Sequence, residues 1–560
     1  MTIFSVPQPI NAEGTDFSPA EAYIEWMRND LASGGWQADP TQPCLLYKVY
    51  NSVERIPLDT HIPLRLGMSY TDTLQPARHL SLSARPETLL SCLLYYTHGL
   101  TRILRPEAGV SSLHSLAKNN GERKDTYPRR FAGPSARSSP FLGRPVPSGG
   151  SLHPVEIYLA LGTDWHIPAG IYHYDSTHHA LERLREGDFT AAIAECLAEK
   201  KLRGPGSLTI FPTICFQKNH QKYTNLSYWL QTLDAGILIE QLRFVARCLD
   251  LPLATSLRYL DQPLHHLLGL DTSEENIYAV LCLQAPLAAQ QTQREHHRLQ
   301  ALAALPSLTV AHCQPFVPHK QSSLLNRLYA ASLISQAENL ADMAASYQRQ
   351  NSIEDEQALA LPASLPTSQE DIVQTLLHRR TGMSALASDP LRITELAAML
   401  APLRENENSL LEDYHFQLYC VVSRVDTLLP GVYLYQKHAF VPIHQTNILP
   451  ILSRISTGIN IFPHLAPINL FLCADYQQAL KLHGVRGLRM LGIELGRILQ
   501  QLSLAAAASN LATHIHQSFH LEGTRKVLLR LPSPSQLPLA SMMVGHAKSL
   551  QGGLFEAIWY

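Results

Sequence analysis

A chain of 560 residues is longer than the roughly 250–300 residues one hydrophobic core serves, which predicts two to four domains and excludes a single small module. Hydrophobic residues make up 45% and charged residues only 16%, against roughly 25% in ordinary soluble domains, so much surface is expected to be buried between domains or subunits. Lys+Arg 45 against Asp+Glu 47 gives a formal charge of -2, without the basic excess of a nucleic-acid binder, although partial protonation of the 26 histidines could raise it.

The first residues, from Met1 to Tyr23, lack a basic segment followed by an apolar one, so no secretory signal is expected. No apolar run approaches the ~18–20 residues of a membrane span. The nine cysteines, Cys44, Cys92, Cys196, Cys215, Cys248, Cys282, Cys313, Cys420 and Cys473, form no CxxC pair and predict neither a disulfide scaffold nor structural zinc. The chain reads as cytoplasmic, with no membrane and no nucleic-acid partner.

After an extension of residues 1–65, the chain repeats itself at a separation near 260 residues, far longer than a solenoid period, which predicts two homologous domains. An alternating apolar run, Glu156-Ile-Tyr-Leu-Ala-Leu, leads into a Gly turn and a second aromatic strand, Pro168-Ala-Gly-Ile-Tyr-His-Tyr. Gln417-Leu-Tyr-Cys-Val-Val and Pro430-Gly-Val-Tyr-Leu-Tyr repeat it. A buried helix is predicted from Asp234-Ala-Gly-Ile onward, with a counterpart from Glu494-Leu-Gly-Arg. The reading is an α+β chain of two domains, 66–290 and 366–560, each a central, mostly antiparallel sheet flanked by helices and fused as a pseudo-dimer. Between them lies a helical linker, 291–365, with helical pattern near Ser322–Arg349 and the Pro-containing Leu361-Pro-Ala-Ser-Leu-Pro.

The copies keep different polar residues. Before its first repeated strand, copy one carries Pro147-Ser148-Gly149-Gly150, whose small residues would let backbone approach a flat ligand, or make a plain surface turn. It also carries Lys222-Tyr223, where a lysine can stabilise a phenolate and make a general base, or simply sit solvated beside a packed tyrosine. Copy two has Leu482-His483 there, and instead holds Arg379-Arg380-Thr381, Arg486 and Arg489, and Arg525-Lys526. Arginines suit bidentate phosphate recognition, though each pair alone also reads as a solvated patch. Complementary loss across the copies favours one shared site. The paired histidines His178-His179, His265-His266 and His296-His297 lack a third ligand at metal spacing and are expected at the surface; no metal is predicted.

On these motifs, together with Leu93-Leu-Tyr-Tyr-Thr-His-Gly-Leu-Thr-Arg102 and Gly170-Ile-Tyr-His-Tyr-Asp, the chain resembles the nitroreductase superfamily and specifically its azoline dehydrogenase branch (SagB/ThcOx type). The resemblance implies one FMN bridging the two halves. Arg379, Arg380, Thr381, Arg486, Arg489, Arg525 and Lys526 would hold its phosphate and ribityl end, Pro147, Ser148, Gly149 and Gly150 would face its ring, and Lys222 and Tyr223 would be catalytic. It implies oxidation of a thiazoline or oxazoline to an azole in a ribosomally made peptide, with Tyr223 as proton acceptor, Lys222 lowering its pKa or orienting it, or the reverse. A cyclodehydratase complex would be the partner, and the chain would be a monomeric pseudo-dimer or a higher homo-oligomer. The family's Gly-x-Arg-Gly-Tyr-Arg run after Lys-Tyr is replaced here by Thr224-Asn-Leu-Ser-Tyr-Trp229, which puts first-domain phosphate contacts in doubt. Residues 103–146 are expected to be a loop over the site. The alternatives are an NAD(P)H-dependent nitro- or quinone reductase and a non-catalytic scaffold of a peptide-modifying complex.

Overall fold

The computed structural model describes residues 17–29, 47–74, 85–104, 141–199, 207–283, 301–308, 310–312, 322–335, 358–366, 368–379, 381, 386–404, 413–457, 461–547 and 555–557. The first half builds an eight-stranded sheet from β1 (Glu54–Pro57), β4 (Val155–Leu161), β5 (Gly170–Asp175), β6 (Ala180–Glu186), β7 (Leu208–Cys215), β8 (Leu253–Ser256), β9 (Glu275–Ile277) and β10 (Val280–Leu283). Its order is β1-β6-β5-β4-β7-β10-β8, with β9 also paired to β7. The second half builds a seven-stranded sheet, β11-β14-β13-β12-β15-β17-β16, from β11 (Leu359–Ala360), β12 (Gln417–Val422), β13 (Gly431–Gln436), β14 (Ala439–His444), β15 (Ile468–Asp475), β16 (Leu511–His516) and β17 (Gln536–His546). Every pairing in both is antiparallel. This is the α+β architecture the repeat predicts.

The duplication extends to register. Leu161 faces Gly170 across β4 and β5, and Val422 faces Gly431 across β12 and β13. Each sheet has a bulge at the matching step, between Ile171 and Tyr172 and between Val432 and Tyr433. Both central strands are buried on both faces, which explains their near-continuous apolar runs. Ile157, Leu159 and Leu161, with Leu418, Cys420 and Val422, enter one core shared by the two halves, whereas Tyr158 and Ala160, and Tyr419 and Val421, face two separate outer clusters.

Helices α1 (Ser18–Asn29), α2 (Pro86–His98), α3 (Gln217–Tyr223), α4 (Leu226–Cys248), α5 (Asp261–Leu268), α6 (Ser323–Ala331), α7 (Ile372–His378), α8 (Tyr476–His483) and α9 (Arg486–Ala508) cover the sheets. α4 and α9 are both 23 residues long and pack on each other at the middle of the molecule. At the crossing a Cβ on Gly236 would overlap the Ile493 carbonyl, and one on Gly496 would overlap the Leu233 carbonyl, so both positions need glycine for the backbones to touch. Glu240, Arg497 and Gln501 tie the helices further along, with Arg497 Nε donating to Glu240 at 3.1 Å and Gln501 Nε2 at 3.0 Å.

The halves also exchange pieces. β1, from the expected extension, is the edge strand of the first sheet, and β18 (Phe555–Ala557) pairs with β2 (Arg102–Leu104), itself paired with β3 (Phe141–Gly143). The expected loop over the site therefore begins and ends in strands, and its residues 105–140 lie outside the described residues. Of the expected linker helix, Ser323–Ala331 is helical and 336–349 lie outside the described residues.

The surface expectation for the paired histidines is corrected at two positions. His179 and His265 are buried, because Ser91 and Tyr174 meet the ring nitrogens of His179 at 2.7 and 2.9 Å and the Ile277 amide donates to His265 Nε2 at 3.2 Å. His296-His297 lie outside the described residues.

Gly236→Ala is expected to lower stability by about 2–3 kcal/mol, since a backbone carbonyl cannot move aside as a side chain can. The urea midpoint of the full chain measures it, and an unchanged midpoint would contradict the close crossing.

Candidate functional site

The loop after β3 is held in an unusual backbone. Gly150 (φ 65), Ser151 (φ 58) and His153 (φ 44) all lie in the left-handed region, which costs energy at the two non-glycine positions and persists only where surroundings hold it. The holding group is Asp234 in the middle of α4. Ser148 Oγ donates to its Oδ2 at 2.6 Å, the Gly149 amide donates to both oxygens at 3.2 Å, and the His153 amide closes the turn by donating to Ser148 Oγ at 3.0 Å. Burial pushes the Asp234 carboxyl up to about 7 despite those two donors.

The loop lies against the Lys222–Tyr223 pair at the end of α3. A Cβ on Gly150 would stand 2.5 Å from Tyr223 Oη and 2.7 Å from Lys222 Nζ, so the glycine is what lets the loop touch both. Lys222 Nζ sits 5.1 Å from the Tyr223 ring centre. The expected depression of the phenol pKa is corrected: burial, and then the nearby Asp234 charge, push Tyr223 above its ordinary value. It carries its proton at neutral pH.

On the other side of the loop is a cluster of guanidinium groups from both halves. Arg379, directly after α7 in the second half, donates from Nε to the Pro145 carbonyl at 2.6 Å. Arg102 donates to the Arg379 carbonyl at 2.9 Å and to the Arg144 carbonyl at 2.5 Å, and Arg144 donates to the His98 carbonyl. Arg379 is only 4% exposed, and its Nη1 has no hydrogen-bond partner among the described residues. Burial, then the Arg102 charge, push its pKa well down, so this cation sits where an anion would relieve it. His98 and His153 nearby are both held neutral, chiefly by burial and then by Arg144.

The structure thus brings together Pro147, Ser148, Gly149, Gly150, Lys222, Tyr223 and Arg379. Among the described residues it does not bring Arg486, Arg489, Arg525 or Lys526 to this place. Arg486 donates to Asp261 Oδ2 at 2.7 Å and to the carbonyls of Leu257 and Ser332, while Arg489 lies 5.0 Å from the Tyr278 ring centre and also reaches toward Asp261 and Ser332. Arg525 is engaged by Glu522 and by the carbonyls of Leu531 and Ser533, and exposed Lys526 pairs with the same Glu522. Thr381 bridges to Thr513 in the second half, and Arg380 lies outside the described residues. Arg102, Arg144 and Asp234 join the site without having been predicted. The one signal was position: Arg144 precedes the glycine loop by three residues and Asp234 opens the Asp-Ala-Gly helix segment.

No family model matches the chain. It is similar to a crystal structure of a "putative nitroreductase" from Anabaena variabilis at a TM-score of 0.69 and 19% identity, covering 95% of this chain and 100% of that one. The fold is nitroreductase-like. The "Putative nitroreductase MJ1384" of Methanocaldococcus jannaschii is 26% identical over 191 residues, 32% of this chain and 94% of that protein. The "Trifolitoxin-processing protein TfxB" of Rhizobium leguminosarum bv. trifolii is 26% identical over 135 residues, 23% of this chain and 36% of that protein. The nitroreductase-like fold spans both sheets, because the Anabaena structure covers nearly the whole chain.

Gly150→Ala is expected to cost about 1–2 kcal/mol, from its left-handed φ and the crowding against Tyr223 and Lys222. Gly149→Ala is expected to cost less, since its Cβ would meet Leu230 at an ordinary 3.4 Å. Paired urea titrations rank the two, and the reverse order would contradict the loop geometry.

Proposed function

We propose that this chain is an FMN-dependent oxidoreductase that oxidises an azoline ring, thiazoline or oxazoline, to an azole in a ribosomally made peptide. The observation that carries the reading is Arg379, a buried guanidinium from the second half with an unpartnered Nη1, reaching the glycine loop of the first half. The residues fit the group. A phosphate would satisfy Arg379, with Arg102 and Arg144 beside it, and the small residues of the turn at Pro147, Ser148, Gly149 and Gly150 would let backbone rather than side chains meet a ring. Arg380 and Thr381 follow in sequence and are assigned to the same anionic end.

Losing two hydrogens across one carbon–carbon bond releases a hydride and a proton. Bound FMN supplies the hydride acceptor, with molecular oxygen as final oxidant. The chain supplies the proton acceptor and the alignment, which contributes much of the rate. Lys222 and Tyr223 stand on one side of the loop and are assigned this work. Because the Tyr223 phenol is pushed up and keeps its proton, the acceptor role is assigned to Lys222, which would take the proton as the neutral amine, with Tyr223 orienting it. The similarity to a protein named for trifolitoxin processing supports a peptide substrate and a partner complex that forms the ring, such as a cyclodehydratase.

The visible spectrum of the purified full chain is the first test: one flavin per chain is expected, and colourless protein that cannot be reconstituted with FMN would overturn the reading. Arg379→Ala should weaken FMN binding about ten- to a hundredfold, the worth of one charged hydrogen-bonded contact. Lys222→Ala should abolish azoline oxidation while retaining flavin, and Tyr223→Phe should slow it less. Rapid bleaching by NADPH without oxygen, with no azoline oxidation, would instead make it a nitro- or quinone reductase.

A further inference from the structure

The described residues hold three buried polar clusters of note: the Arg486–Arg489–Asp261 group between the halves, a charged ladder across the first sheet, and the Asp234 anchor of the glycine loop. The first two hold their charges in ion pairs, although Arg486 Nη2 has no hydrogen-bond partner among the described residues. Arg486 and Arg489 find Asp261 and the Ser332 carbonyl. In the ladder Lys48 pairs with Glu275 at 2.5 Å, and Lys218 with Glu156, which shares His173 with Glu182. Asp234 differs. It is a buried carboxyl with no ion pair to a cation among the described residues, where it is met by a serine hydroxyl and a backbone amide.

We propose that Asp234 is the positioning residue of this site: through Ser148 and Gly149 it fixes the strained 148–153 turn and thereby sets how Gly150 presses on Lys222 and Tyr223. The inference deepens the flavin reading given above and rests on it for the identity of the ring that the loop faces. Three steps connect the carboxyl to the pair. Asp234 accepts from Ser148 and Gly149; Ser148 in turn accepts from the His153 amide and closes a turn with two non-glycine residues at positive φ; and Gly150, inside that turn, has no room for a Cβ against Tyr223 Oη and Lys222 Nζ. A shift of the Asp234 side chain would be passed to the pair through Gly149, which it holds, and the adjoining Gly150, where an added Cβ would crowd both Tyr223 and Lys222.

The carboxyl also gives the turn a pH dependence. Its pKa is pushed up to about 7 from 3.8, chiefly by burial. The groups facing it are the Ser148 hydroxyl, the Gly149 amide and, through its field, the Tyr223 phenol, with Lys222 beyond Gly150. Charged groups on the elements packed around α4 are engaged elsewhere: Lys218 of α3 with Glu156 of β4, Arg497 and Glu494 of α9 with each other and with Glu240, and Arg486 and Arg489 with Asp261. Between pH 3.8 and about 7 the folded carboxyl keeps a proton that the unfolded one has released, so stability falls as pH rises through that window.

The test uses the full chain with Asp234→Asn, which keeps an acceptor and loses the charge, Asp234→Ala, which loses both, and Ser148→Ala as a milder second probe should Asp234→Ala fail to fold. In the protein without added flavin, hydrogen exchange at the Gly149 amide should quicken about tenfold or more in Asp234→Ala, the loss of one buried hydrogen bond, and little in Asp234→Asn. The melting temperature of the wild type should fall between pH 4 and 7.5 by more than that of Asp234→Asn. With FMN bound, the flavin spectrum of the wild type should change with a midpoint near 7, and that step should vanish in Asp234→Asn. Unchanged Gly149 exchange in Asp234→Ala, or in Ser148→Ala where that is the folded variant, overturns the proposal, as does a flavin step that survives in Asp234→Asn. If no FMN binds, the flavin reading fails while exchange and melting still decide the role of Asp234.

Discussion

The contact that the rest of the molecule depends on is the crossing of α4 and α9 at Gly236 and Gly496. Two long helices, one from each half, approach until backbone meets backbone, and no other residue type fits at either glycine. Because both helices are buried along nearly their whole length, the crossing fuses what would be two cores into one. The candidate site hangs from the same crossing. α4 carries Asp234, which anchors the glycine loop, and α9 is packed by α7, whose end delivers Arg379 to that loop. Moving one helix on the other would separate the anion-seeking group from the turn it touches.

The two copies have diverged in what they do with buried charge. In copy two the arginines that open α9 are turned toward the first half, where Asp261 and the carbonyls of Leu257 and Ser332 take up their donors. Ser332 closes α6, a helix of the segment that joins the halves, so the connection itself fills this place. Removing Asp261 from such an arrangement would strand two buried guanidinium groups, so this pair is interface chemistry, even though Arg486 Nη2 also has no hydrogen-bond partner among the described residues. Arg379 differs in that no carboxylate faces it among the described residues.

Much of the fold was legible because the repeat is nearly gap-free over its central strands and long helices: Tyr158 and Tyr419, Gly170 and Gly431, and Asp234 and Glu494 stand at almost the same offset, and the structure keeps their registers. What hid were the exchanges at the edges. β1, β2 and β18 are three or four residues long, too short for a period-two pattern, and their pairing is fixed by partners far away in sequence. At the site, Lys222, Tyr223, the glycine loop and Arg379 were found by comparing the copies, since each is kept in one and lost in the other. Asp234 escaped that comparison because copy two has Glu494 at the matching place, where it pairs with Arg497. Both copies look acidic there, and only the partner tells an anchor from an ion pair.

The charge pattern around the loop follows from these placements. Arg102, Arg144 and Arg379 gather at the start of the loop and donate to carbonyl oxygens, which satisfy donors without cancelling charge. Asp234 lies on the other side, desolvated enough that its proton is held to about 7. The Asp234 carboxyl takes up the Ser148 and Gly149 donors of the turn. It also raises the phenol of Tyr223 whenever Asp234 is charged, so the carboxyl that shapes the turn opposes ionisation of the tyrosine beside it. Burial is the larger cause of both raised pKa values, and Asp234 links them to the geometry of the turn it holds.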